Sequence, residues 1–276
     1  MTEQELRLAM AKAVDDVRNT NPMAPSITNF VTIDFVANAQ LATGGSAAMV
    51  YLPDEGEFLA AGQAMYLNMG TLMPVYEETI PRTVKALATH KTPWVLDPVG
   101  LGIGSLRTKL LNECKPGKPS VIRCNASEAI ALAQLWELDV EAPEAGVRGV
   151  DSTDTVESAE PAAVALARFT GGAVAVSGEI DLVTDGKQVA YVQGGSELMT
   201  CVTGSGCALG GVAAIYAAVA DPFVAALTAT AIFDLAGVRG SLFATGPASF
   251  KVQFIDALYN ASANDVANVP FVLKEA

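Results

Sequence analysis

"WVLDPVG", residues 94–100, runs straight into "LGIGSLRTKLLNEC", residues 101–114. The apolar run stops at Asp97, a proline and a glycine loop follow, and a helical pattern begins. A run this short, closed by turn residues, fits a buried strand better than a helix. The same unit recurs. "AMYLNMG" (64–70) precedes "TLMPVYEETIPRTVKALATH", in which Pro74 suits a first helical turn. "SVIRCN" (120–125) precedes "ASEAIALAQLWEL", and "GAVAVSG" (172–178) follows the helical "EPAAVALARFTG". Alternation of this kind predicts βαβ units around a buried parallel sheet. Residues 205–220, 223–239 and about 249–262 read as closely packed helices rich in Ala and Gly. The acidic stretch 140–160 reads as a surface excursion, so the expectation is one three-layer α/β/α domain over residues 1–276 with a mostly parallel central sheet.

Composition narrows the partners. The formal charge of −13 argues against nucleic acid and against an anionic membrane. It leaves room for a small anion held by backbone N–H groups. "GGVAAIYAAVA" comes nearest to a membrane span but soon meets Asp221 and Pro222. The charged N-terminus reads as an amphipathic helix and has no secretion-signal core, so a cytoplasmic protein is expected. Cys114, Cys124, Cys201 and Cys207 form no C-x-x-C pair, and His90 is the single histidine, which disfavours zinc. Reduced thiols are the expectation, with Cys124 and Cys201 structural and His90 a solvated helix-end residue.

Open parallel sheets bind ligands beyond the carboxyl ends of their strands. Five places answer to that description: Asn68 to Gly70, Asp97 to Gly100, Arg123 to Asn125 with Glu128, Ser177 to Glu179, and "TGSGCALGG" (203–211). Asp97 and Glu128, at adjacent strand ends, suit a hydrated Mg²⁺. They suit turn and helix capping equally well. Arg123 can fork onto a phosphate or pair with Asp97 or Glu128. Ser177 and Gly178 offer a hydroxyl and bare backbone, in a pair that also marks ordinary turns. In the glycine turn, Gly204 and Gly206 permit unusual backbone angles, and the N–H groups of Gly204, Ser205, Gly206 and Cys207 gather at a helix N-terminus that favours anions. The plainer local reading is a tight turn with a buried thiol.

Several motifs occur together in a telling order: "SITNFVTIDFVANAQLATGGSAAM" (26–49), "LNMGTL" (67–72), "LDPVGLG" (96–102), "IRCNASE" (122–128), "GVDS" (149–152), "SGEID" (177–181), "VTGSGCAL" (202–209) and "GPASF" (246–250). Over roughly residues 5 to 260 the chain resembles the hydroxyethylthiazole kinases of the ribokinase-like superfamily. The resemblance implies a ribokinase-like α/β/α fold without a separate lid domain. It implies ATP-dependent phosphorylation of 4-methyl-5-(2-hydroxyethyl)thiazole on its side-chain hydroxyl, in thiamine salvage, with Mg²⁺. It also implies a homotrimer with sites at the subunit interfaces. By the same resemblance Met49 belongs to the thiazole pocket, and Arg123 and Ser177 to ATP. Asp97 and Glu128 belong to the metal and phosphate site. Gly204 lines the substrate side of an anion hole shared with Ser205 and Gly206. Cys207 stands where most of the superfamily has a catalytic aspartate. A helix N-terminus lowers a thiol's pKa and a neighbouring ATP raises it, so a secondary role for Cys207 is expected, with more of the rate from the anion hole.

The chain departs from the family pattern at Pro25, at "GGSAAM" with Gly45, at Cys124 and at Asp34. Pro25, Gly45 and Asp34 lie at the thiazole end. The rival readings are a kinase of another small alcohol and a catalytically silent ligand-binding homologue. A Rossmann oxidoreductase is disfavoured, because no G-x-G-x-x-G follows the first strand-like run.

Overall fold

A computed structural model describes residues 1–140, 147–148, 151–152 and 154–276. Parts of the expected surface excursion (141–146, 149–150, 153), and with them half of "GVDS", lie outside the described residues. The chain opens with α1 (Glu3–Thr20), β1 (Met23–Ile27), α2 (Ile33–Ala42), β2 (Ser46–Met49), α3 (Pro53–Leu59) and β3 (Met65–Asn68). It continues through α4 (Tyr76–His90), β4 (Trp94–Asp97), α5 (Ser105–Cys114), β5 (Val121–Asn125) and α6 (Ala126–Leu135). A short antiparallel pair, β6 (Val147–Arg148) and β7 (Asp151–Ser152), precedes α7 (Val156–Thr170). Then come β8 (Ala173–Ser177), β9 (Asp181–Thr184) and β10 (Gln188–Val192). The chain closes with α8 (Ser205–Ala217), α9 (Pro222–Ser241), α10 (Pro247–Asn260), α11 (Ala263–Ala267) and β11 (Phe271–Glu275).

The central sheet runs β11-β10-β9-β8-β5-β4-β3-β1-β2. From β2 to β8 every pairing is parallel, and β9, β10 and β11 add an antiparallel edge. The expected mostly parallel sheet is therefore present, with the antiparallel edge as the minority part. Side chains alternate between two cores. Ala24, Tyr66, Val95, Val121, Ala173 and Ala175 face the layer of α1, α2, α8, α9 and α10. Their neighbours Met65, Leu67, Trp94, Leu96, Ile122, Val174 and Val176 face α4 to α7. Buried strands can be apolar on both sides, which is why they read as continuous runs. Small residues on the first face let α8 lie close: a Cβ on Gly210 would stand 2.5 Å from the Tyr66 ring.

Helix ends follow local chemistry. Thr2 and Glu5 form a capping box at α1, and Leu6, Met10, Val14 and Val17 bury one face, giving the expected amphipathic helix. Asp221 accepts from the N–H groups of Phe223 and Val224 and Pro222 opens α9. By length and composition α9 is apolar enough to cross a membrane, but 83% of its apolar window is buried inside the fold. One expectation needs correction. Pro74 precedes α4, whose N-cap is Val75. The Pro74 carbonyl accepts from the Glu77 N–H, so the proline sits in the turn that leads into the helix. Of the two cysteines expected to be structural, Cys124 is buried and Cys201 is exposed.

Candidate active site

Strand parity builds the site. In β4, β5 and β8 the positions in phase with Val95, Val121, Ala173 and Ala175 face α8. The last in-phase position of β4 is Asp97, and that of β8 is Ser177; Arg123 occupies the next one in β5. Three polar side chains thus emerge beside one another under the first turn of α8. Arg123 Nη1 lies 3.5 Å from Asp97 Oδ2, and Nη2 donates to Ser177 Oγ at 3.0 Å. The glycines of the turn do two different jobs. Gly204 caps α8 with φ +90°, a left-handed angle that favours glycine. Gly206 is already helical, and its missing Cβ is the point. A Cβ there would stand 2.3 Å from both Arg123 Nη atoms, so the guanidinium lies flat against the first turn.

The first-turn N–H groups of Ser205, Gly206 and Cys207 have no partner within the helix, by the geometry of any helix start. The Ser205 hydroxyl is committed to structure, donating toward the Met199 and Val202 carbonyls at 2.9 Å each. The serine therefore offers its backbone to a ligand, and its hydroxyl braces the preceding 3-10 turn (Glu197–Cys201).

Cys207 is 8% exposed and ends a directed hydrogen-bond chain. The Tyr66 hydroxyl donates to Asp97 Oδ2 at 2.9 Å, and Asn68 Nδ2 donates to Tyr66 at 2.8 Å. Asn29 Nδ2 donates to Asn68 Oδ1 at 3.0 Å and approaches Cys207 Sγ at 3.5 Å. Backbone donors fix both amides: Gly70 N–H to Asn68 Oδ1 and Thr32 N–H to Asn29 Oδ1. Burial pushes the Cys207 thiol above its usual range, Asp97 adds to the rise, and Arg123 pulls it back in part. These influences, burial and Asp97 against Arg123, differ from the helix terminus and ATP weighed from sequence, and together they favour a protonated thiol.

Burial likewise pushes Asp97 up to about 7, against the pull of Arg123 and with help from Glu128. Burial works against the charge on Arg123, but Asp97 and Glu128 outweigh it and hold the guanidinium firmly protonated. Asp97 Oδ1 and Arg123 Nε have no hydrogen-bond partner among the described residues. Glu128 is more committed. One of its oxygens accepts from Gly100 N–H at 3.0 Å, and the other closes a capping box on Asn125 N–H at 2.9 Å. The capping reading is therefore realised for Glu128. Among the described residues no group of three or more His, Cys, Asp or Glu side chains could hold a metal ion. A hydrated Mg²⁺ needs only one or two carboxylates, and the unpartnered Asp97 oxygen fits that demand.

A cavity of about 630 Å³ extends from Arg123, Ser177 and Gly206 toward Met199, Phe233 and Asp234. Met49 ends β2, paired with Ser26, and packs on the α8 side of the sheet. It shares the sheet end with Asp97 but is separated from β4 by β1 and β3. Sequence reasoning did not single out Tyr66, Asn29, Asp181 or Asp234. Asp234 carried a usable signal: a lone acid within "TATAIFDLAG", an otherwise apolar buried helix. Tyr66 carried none, since an aromatic inside a buried strand reads as core.

The chain matches the Hydroxyethylthiazole kinase family over residues 14–264. It is 49% identical to a hydroxyethylthiazole kinase of Bifidobacterium longum (strain DJO10A), over 96% of this chain and 90% of that one. Among solved structures it resembles a hydroxyethylthiazole kinase protein from Pyrococcus horikoshii OT3, with TM-score 0.84, 29% identity, and coverage of 97% of this chain and 98% of that one. A ribokinase-like superfamily protein from Enterococcus faecalis V583 shares the fold, with TM-score 0.62, 11% identity and coverage of 95% and 96%.

Proposed function

This chain belongs to the hydroxyethylthiazole kinase family, and on that premise we propose that it transfers the γ-phosphoryl group of ATP to the side-chain hydroxyl of 4-methyl-5-(2-hydroxyethyl)thiazole. The observation that carries the reading is the guanidinium of Arg123, held by Asp97 and Ser177 flat beneath a helix N-terminus at the mouth of a cavity. Phosphoryl transfer asks a protein for alignment and charge stabilisation more than for covalent chemistry. Arg123 and Ser177 bind the ATP phosphates. The N–H groups of Ser205, Gly206 and Cys207, with Gly204 at the substrate side, receive the charge spread over the transferred group. Cys207, protonated and buried, orients the attacking hydroxyl rather than serving as a strong base. Asp97 and Glu128 would hold Mg²⁺, and the ion would supply positive charge to offset that of the phosphates.

Met49 supplies an apolar contact to the thiazole. We read the assembly as a homotrimer with the thiazole site at the interface. Apolar side chains left exposed in the α2 and α3 region near β2, among them Phe30, Val31, Leu52 and Phe58, support that reading. Two of the three departures at the acceptor end have structural contacts of their own. A Cβ at Gly45 would stand 2.4 Å from Ile215, so the glycine admits α8, and exposed Asp34 pairs with Lys251 at 3.6 Å. Neither change argues for a different alcohol. The protein would work as a soluble cytoplasmic enzyme in thiamine salvage. The test is ADP formation with the thiazole alcohol against a hydroxymethylpyrimidine and a sugar. The thiazole alcohol should lead the panel at least tenfold in kcat/KM; faster turnover of either competitor sinks the assignment.

A further inference from the structure

Asp234 sits in the middle of α9 and is 5% exposed. It lines the same cavity as Arg123, Ser177 and Gly206, in a cluster with Gly194, Gly195 and Met199. Its Oδ2 is buried without a hydrogen-bond partner among the described residues, and no described cation pairs with it. The surroundings fix its position. A Cβ on Gly194 would stand 2.5 Å from Asp234 Cβ, and the Gly195 N–H donates to the Asp234 main-chain carbonyl at 3.0 Å. A buried polar group without a partner is destabilising, so an unpartnered carboxyl group on a cavity-lining residue points to a ligand that completes it.

The ligand must be the part of the phosphate donor that lies beyond the phosphates. If these rest on Arg123 and the α8 turn, the nucleoside occupies the end walled by Met199, Phe233 and Asp234. The thioether and the aromatic ring suit the faces of a base. We propose that Asp234 is a specificity-determining residue that reads the base of the nucleotide, its carboxyl group making one donated and one accepted hydrogen bond to an adenine edge. Burial first, and then the neighbouring Asp181, push Asp234 up to about 9, so the group keeps its proton at neutral pH. A carboxylic acid then presents a donor and an acceptor side by side, as the Asn amide does when it reads adenine at N6 and N7. Guanine offers two acceptors, O6 and N7, on the same edge and cannot satisfy both groups. An ionised carboxylate would instead accept twice, as from the two hydroxyls of a ribose.

This inference rests on the reading that a nucleotide fills the cavity, but its test needs no acceptor alcohol. Titration calorimetry on the full chain with ADP, GDP and 2′-deoxy-ADP compares wild type, Asp234→Asn and Asp234→Ala. Wild type should bind ADP at least tenfold tighter than GDP. Asp234→Asn, which keeps a donor and an acceptor, should hold that ratio within threefold. Asp234→Ala should weaken ADP about tenfold, leave GDP unchanged and so erase the preference, with the 2′-deoxy-ADP penalty equal in all three proteins. The proposal is overturned by equal wild-type affinities for ADP and GDP, by an unchanged ratio in a folded Asp234→Ala, by Asn behaving as Ala, or by loss of ribose rather than base discrimination. Selective ADP binding without thiazole phosphorylation would sink the functional assignment and leave the base-reading role standing. If Asp234→Ala does not fold, Asp234→Ser takes its place, with the same two ratios as readout.

Discussion

Gly206 shows how much one missing atom does. Its hydrogen side lets both Nη atoms of Arg123 rest against α8, while Asp97 and Ser177 hold the guanidinium from below. In Gly206→Ala the added methyl must displace the guanidinium, which is the flexible end of its side chain. Helix propensity moves the other way, since Ala is about 1 kcal/mol better than Gly inside a helix. The variant should therefore melt at or above the wild-type temperature. Its kcat/KM for ATP should fall roughly 10- to 100-fold, the scale of a charge-assisted hydrogen bond worth about 1.5–3 kcal/mol. Thermal melts and steady-state kinetics on the same preparation check both signs. Asp97, Arg123, Ser177 and the glycine turn were legible in the sequence as candidates, but the reason for this glycine was not. Two glycines in a turn suggest two unusual backbone angles. Only Gly204 has one, and Gly206 is required by an arginine on a strand remote in sequence. Asp234 was missed because its meaning depends on the cavity it faces.

Elements were most readable where both faces are buried. β3, β4, β5 and β8 appear as short apolar runs ending in Asn, Asp, Asn and Ser, and their period-2 phase also decides which end residues face α8. The outer elements were harder. β1 contains Pro25, β2 is "SAAM" with little β-propensity, and β11 alternates burial at the sheet edge, so none produces a long apolar run. The antiparallel turn from β8 to β9 hangs on the Gly178 N–H donating to Asp181 Oδ1 at 2.8 Å, a local contact that "SG" alone does not announce. Glu128 shows one element serving another. Its carboxylate caps α6 and ties down Gly100 in the loop after β4, so the loop that carries Asp97 is held by a neighbouring helix.

At the scale of the molecule, the six-stranded parallel run and its antiparallel edge bring Asp97, Arg123 and Ser177 from three separate segments to one end of the sheet. α8 then meets them with its N-terminus, as the alternation of strand and helix implies for sheets of this kind. Met49 stands apart on the β2 edge strand, and in the proposed trimer a second copy of the chain would complete its surroundings. Light scattering should return about three times the 28.5 kDa chain mass, and a monomer that phosphorylates the thiazole alcohol at full rate would remove Met49 from a shared site. The apolar α8 and α9 fill the middle of one layer, and 83% of the apolar window of α9 is buried there.

The central claim is that the α8 turn and Arg123, rather than the Cys207 thiol, carry phosphoryl transfer. Single-turnover formation of phosphorylated thiazole alcohol by Cys207→Ala, with ATP and alcohol both saturating, tests it most directly. The thiol is held protonated by burial and by Asp97, so its loss should slow the chemical step only about 10- to 100-fold, the low end of general-base effects. A fall beyond a thousandfold, with nucleotide and alcohol binding intact, would contradict the account and make Cys207 the catalytic base.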